Sequence, residues 1–108
     1  MTNIDIIKGK DKSITLSPSD YKLAETDTAI IRIAPKWGSA AVIEINGVVN
    51  TEANEIDINI PSTATDNIEI IGEVLIYAYE IESNLAGHKS AISRGYCYIH
   101  NNISAKEA

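Results

Sequence analysis

Catalysis, metal binding and thiol chemistry all need side chains that converge, and this chain offers few that could. Its two histidines, His88 and His100, and its one cysteine, Cys97, stand at no zinc-ligand spacing. His88 lies in a glycine-containing stretch and His100 closes an apolar run, so both read as surface residues. Cys97 sits between Tyr96 and Tyr98. A thiol among apolar neighbours stays protonated and inert, whereas a reactive thiolate needs a cation beside it, and only Arg94 and His100 are close in sequence. Glu52, Glu55 and Asp57 follow a strand face and not a calcium loop. Gly9-Lys10-Asp11-Lys12-Ser13 has the end of a phosphate-binding loop without its first glycine or its following helix. Asn102-Ile103-Ser104 fits a glycosylation acceptor, which matters only in a secretory pathway. The expectation is no catalytic residue, no metal ligand and no cofactor.

One side chain stands out for binding. Trp37, beside Lys36, lies in the loop Pro35-Lys36-Trp37-Gly38. A loop tryptophan suits a partner contact or a sugar platform, and it also suits folding back to cap one end of a domain. Tyr77, Tyr79, Tyr96 and Tyr98 fall on the last two strand patterns, where cross-strand aromatic packing is the expected role.

These residues must be positioned by strands. Twenty isoleucines stand against four leucines, and phenylalanine is absent. That bias favours the β-branched side chain that fits a pleated surface. Strands are predicted at 4–7, 12–16, 29–34, 41–45, 55–60, 73–82 and 91–100, with no long helix. Ser17-Pro18-Ser19-Asp20 is a turn, after which Tyr21 and Leu23 return toward the core. Asn46-Gly47 predicts a type I′ hairpin joining 41–45 to Val48-Val49. Residues 56, 58 and 60 are all isoleucine, alternating with Asp57 and Asn59, as on a half-buried sheet. Residues 62–67 allow one helical turn. The 73–82 segment is apolar on both faces at its centre, which predicts a central strand. Residues 84–90 read as a hairpin loop and 101–108 as a polar, disordered tail. About seven short strands in 108 residues predict a single all-β domain, an immunoglobulin-like two-sheet β-sandwich, with a small open barrel as the alternative.

The formal net charge of -6 opposes attraction to nucleic acid or anionic membranes. Lys8, Lys10 and Lys12 form the one close basic group and read as a solvated strand edge. The first residues lack a secretory signal, and no apolar run approaches the roughly 20 residues needed to cross a bilayer.

The order of motifs resembles a known family. Ile6-Ile7-Lys8-Gly9 ends a short strand in a glycine turn, and Asp27-Thr28-Ala29-Ile30-Ile31-Arg32 enters an Ile-Arg strand. Ile58-Asn59-Ile60-Pro61 precedes the stretch from Thr63 to Asp66. Gly72 precedes Tyr77-Ala78-Tyr79-Glu80-Ile81, and the chain closes on Gly95-Tyr96-Cys97-Tyr98-Ile99. Over roughly residues 4 to 103 this is similar to the immunoglobulin-like structural domains of siphophage and prophage tails and necks, and to the N-terminal domain of phage baseplate upper proteins. Glu80 stands where that pattern has Asp, and Ala86-Gly87-His88-Lys89 replaces a simpler glycine turn. The resemblance implies a phage structural protein made in the bacterial cytoplasm and built into a virion. It implies phage structural proteins as partners, a homo-oligomer and no catalysis. Candidate contacts are Trp37 and Lys36 in the loop and Ile4 and Ile6 on an edge strand open to a neighbouring chain. The alternative is a carbohydrate or cell-surface recognition module built on Trp37.

Overall fold

The computed structural model describes residues 2–102. The fold is all-β, with a five-stranded sheet packed face to face on a three-stranded one. In chain order the strands are β1 (Ile4–Ile7), β2 (Lys12–Leu16), β3 (Thr28–Ala34), β4 (Ile43–Asn46), β5 (Val48–Asn50), β6 (Glu55–Ile60), β7 (Val74–Leu85) and β8 (His88–His100). The larger sheet runs β1-β8-β7-β3-β4 and the smaller β2-β6-β5. β1 lies parallel to β8, and every other pairing is antiparallel.

Alternation along the strands builds the core. Ile31 and Ile33 of β3, Tyr79 and Ile81 of β7, and Cys97 and Ile99 of β8 turn inward, where they meet Ile58 and Ile60 of β6. Each isoleucine buried this way contributes about 2 kcal/mol. β7 is the middle strand of its sheet, as its two apolar faces predicted. The expected helical turn is a 3₁₀ turn, Ser62–Thr65. Leu23 is buried in a second cluster with Ala29 and Ile56, and Asn54 holds its segment by accepting from the Leu23 N–H and donating to the carbonyls of Pro18 and Tyr21.

Asn46-Gly47 does not make a hairpin. β4 and β5 belong to different sheets, and neither Asn46 nor Gly47 has a positive φ. Here the chain crosses the core edge, and a Cβ on Gly47 would come within 2.5 Å of Ile56 Cγ2. The glycine is required for space and not for a left-handed turn. This crossing splits one expected hairpin into strands of two sheets, so the structure carries more strands than the seven expected.

The type I′ turn lies elsewhere. β7 and β8 pair from Val74 to Leu85 and from His100 back to His88, leaving only Ala86 and Gly87 between them, at φ 53° and 82°. The expected loop over 84–90 is thus mostly ladder. One irregularity leaves Ile92 without a partner between the pairs Ile81–Ser93 and Glu82–Ala91. At the C-terminal end, Asn101 is tied down by bonds to the carbonyls of Glu73, Ile70 and Gly72. The rest of the expected tail, 103–108, lies outside the described residues.

Candidate functional site

The outer face of the five-stranded sheet gathers the residues best placed for binding. Trp37 reaches it from the loop between β3 and β4. That loop is a closed turn in which the Ser39 N–H donates to the Lys36 carbonyl at 3.2 Å, and the Ser39 hydroxyl donates to the same oxygen at 2.8 Å. Gly38 stands at the third position with φ 85°, and Trp37 before it has no positive φ, the pattern of a type II turn, which favours glycine there. Trp37 is therefore held at the corner of a rigid turn.

The indole does not cap an end of the molecule. It folds across the sheet toward β8, with the Arg94 guanidinium carbon 4.5 Å from its ring centroid and the Tyr96 ring edge-on at 6.5 Å. Arg94 is fixed in turn by Glu80 at 3.0 Å. Trp37 and Tyr96 remain 39% and 38% exposed. They continue into Ile76, Val74 and Ile7, all exposed, on the rows formed by Ile76–Tyr98–Asp5 and Val74–His100–Ile7. His100 Nε2 lies 2.7 Å from Asp5 Oδ1 at the end of this strip.

Beside the apolar strip runs a charged row. Arg32 contacts Glu44 at 3.2 Å and Glu82 at 3.7 Å. Ala34 and Ala78 lie between the row and the strip, and with Ala41 they line a shallow dent next to Trp37.

The tyrosines do not pack on one another across the strands. Tyr77 faces Cys97, Tyr79 faces Gly95, Ala78 faces Tyr96 and Ile76 faces Tyr98. Registry thus puts Tyr77 and Tyr79 on the core side and Tyr96 and Tyr98 on the outer side. Tyr96 finds its aromatic partner in Trp37 instead, which no alternation pattern could have signalled.

β1 is an edge strand, as expected, but its edge is not presented by Ile4 and Ile6. Thr2 and Lys8 donate to the carbonyls of Arg94 and His100. Even-numbered residues therefore bond to β8, and Asp5 and Ile7 turn their backbone groups to the open side. Ile6 is buried in the core and Ile4 is packed against it.

The remaining candidates take no part in this strip. Cys97 is fully buried, and its thiol is pushed up to about 12 by burial and then by the Asp5 charge, with Lys12 acting the other way. Asp57 accepts from the Thr15 hydroxyl at 3.0 Å, across β2 and β6. His88 is exposed at the start of β8. Sequence inspection missed Asp27, a buried carboxylate that accepts from the Tyr21 hydroxyl at 2.8 Å, the Ala24 N–H at 2.8 Å and the Ala86 N–H at 3.0 Å. The backbone N–H groups of Ala24 and Ala86, with Tyr21 behind them, hold it below its ordinary range against the opposing effect of burial. It knots the segment before β3 to the β7–β8 turn.

No protein-family model matches the chain, and no curated protein matches it.

Proposed function

We propose that this chain is a non-enzymatic structural or adaptor protein of a phage or prophage particle, acting through protein–protein assembly on an immunoglobulin-like β-sandwich. The observation that carries the assembly role is the outer-face strip of Trp37, Tyr96, Ile76, Val74 and Ile7. It is an exposed aromatic and aliphatic surface on a rigid sheet, bordered by ion pairs. An apolar centre with a charged border is the composition of a recognition surface. A rigid β-ladder beneath it lowers the entropy cost of binding.

The strand order supports the immunoglobulin-like reading. On that reading β2, β6 and β5 correspond to strands B, E and D, and β8, β7, β3 and β4 to G, F, C and C′. The order of motifs along the chain supports the particle reading. The test is mass spectrometry of particles released from the source bacterium after prophage induction. Peptides of this chain at several copies per purified particle are expected. Intact particles that lack it would overturn the particle role.

A further inference from the structure

Across the outer face of the five-stranded sheet one row of charges alternates in sign. Arg94 on β8, Glu80 on β7, Arg32 on β3 and Glu44 on β4 are register neighbours in turn, so they form one line over four strands. From β8 to β4 the line reads plus, minus, plus, minus. Reversed, it reads minus, plus, minus, plus. A row of this kind is complementary to its own reverse.

The symmetry that uses this property is specific. Let a second copy lie face to face with the first, related by a two-fold axis parallel to the strands and midway between β7 and β3. Arg94 of each copy then faces Glu44 of the other, and Glu80 of each faces Arg32 of the other. A two-fold axis at right angles to the strands would instead set Arg94 on Arg94 and Glu44 on Glu44, a like-charge contact that repulsion disfavours. The favoured axis also brings the two sheets together with their strands aligned, the usual way in which sheets stack.

The relief of the face follows the same symmetry. Trp37 stands on the β8 side of the axis, against Arg94 and Tyr96. The dent beside it is floored by Ala34, Ala41 and Ala78 with Lys36 and Ser39 at its rim, and of the alanines Ala34 and Ala41 lie on the β3 and β4 side of the axis. The axis carries the Trp37 of one copy over the Ala34 and Ala41 of the other, a large ring over small side chains. The four strands that the axis overlays, β8, β7, β3 and β4, span about 15 Å, and the face runs about 25 Å along β7, a flat area of about 400 Å². That area suits a weak dimer, smaller than the roughly 800 Å² per partner of a standard interface. The four charged side chains keep between 32% and 54% of their surface open despite their bonds within the chain, so the Glu80 and Glu44 carboxylates have room for a second donor.

We propose that this face is an isologous homodimer interface, and that its occupant is a second copy of this chain. The proposal stands on charge order and relief and does not depend on the particle role. The test is sedimentation equilibrium on the full chain as wild type, Arg94→Glu, Glu44→Arg, and an equal mixture of the two variants. The wild type is expected to dimerise with a dissociation constant on the order of 1–100 µM. Each single reversal places like charges at two symmetric contacts and is expected to weaken association by at least about tenfold. The mixture restores both opposite-charge contacts and is expected to form a heterodimer of wild-type affinity. A wild type that stays monomeric to about 1 mM would overturn the proposal. So would a dimer indifferent to the reversals, or a mixture that fails to recover. If circular dichroism shows either reversal unfolded, Ala41→Glu, which fills the dent from outside any strand, reads the same interface: tenfold weakening upholds it and unchanged affinity overturns it. A monomer would leave the particle role standing, and particles without the chain would leave the dimer standing.

Discussion

The hydroxyl of Tyr79 donates a 2.6 Å hydrogen bond to the carbonyl oxygen of Thr2, 77 residues away in the chain. The contact requires Gly95, because a Cβ there would collide with the Thr2 carbonyl. The same hydroxyl lies 2.8 Å from Ser93 Oγ. A buried ring on the central strand thus holds the start of the edge strand, and Asn3 takes over by accepting from the Tyr96 N–H at 3.2 Å.

Tyr79→Phe keeps the ring and removes both bonds. Two buried hydrogen bonds are worth about 2 kcal/mol together. The expected result is a lower denaturant midpoint with hydrogen exchange accelerated first in β1 and only later in β7. An unchanged midpoint with unchanged exchange would show that the anchor carries no stability.

Gly47→Ala tests the crossing between sheets. The added Cβ meets Ile56 Cγ2 at 2.5 Å and Ile58 Cγ1 at 3.2 Å, both in the core. Overpacking of this kind costs about 1–3 kcal/mol. Urea denaturation should show that loss. A neutral substitution would mean that the core yields at this point.

Most of the strands are legible in the sequence because alternation is local. Ile56, Ile58 and Ile60 announce a strand with one buried face, and all three are buried. Which sheet a strand joins is not local, and that is where Asn46-Gly47 misleads. Two residues that favour a hairpin also suit a crossing that needs no side chain. The tyrosines mislead for a related reason: two strands can pair in many registers, and the observed one places Cys97 and Gly95 opposite Tyr77 and Tyr79. Trp37 is conspicuous in the sequence, but its landing place on Arg94 depends on the direction of a loop. Asp27 stands in the sequence as part of a strand entry, but nothing local marks its buried bonds, since its donors come from residues 21, 24 and 86.

The observed hairpin makes a prediction of its own. Ala86 adopts φ 53°, a left-handed conformation that a Cβ opposes, at the first position of a two-residue turn. Ala86→Gly removes that opposition, worth about 1 kcal/mol, at an exposed site. A raised melting temperature is expected. A lower one would show that the extra freedom of glycine in the unfolded chain outweighs the relief.

Cys97 should report unfolding and nothing else. With its thiol pushed up to about 12 by burial, almost no thiolate exists at pH 8. A disulfide reagent is expected to react at a rate that rises with denaturant in parallel with global unfolding. Fast modification of the native protein would contradict the inert role.

The acid and alkaline limits of stability should both trace to Asp27, the acid one chiefly through its bonds to the Ala24 and Ala86 N–H groups and the alkaline one through its bond to Tyr21. The Asp27 carboxyl is held below its ordinary 3.8, first by the Ala24 and Ala86 N–H groups. Below that value the unfolded chain takes up a proton that the folded chain resists. The stability is complete above about pH 4 and drains away as the pH falls through the folded value. Tyr21 behaves in the opposite sense. Its bond to Asp27, then its burial and the Asp27 charge, raise it above 10.0, so the folded state keeps the phenolic proton that the unfolded chain gives up. That stability is complete below pH 10 and drains away as the pH rises through the folded value. Asp27→Asn turns one acceptor oxygen into a donor facing donors, and lowers the melting temperature at neutral pH. It should also flatten the acid limb, since the carboxyl is gone, and weaken the alkaline one. Tyr21→Phe should abolish the Tyr21 share of the alkaline limb and leave most of the acid limb, because the two backbone donors remain. Thermal melts from pH 2 to 11 on the three proteins separate these outcomes. An Asp27→Asn acid limb identical to that of the wild type would mean that another carboxylate governs acid unfolding.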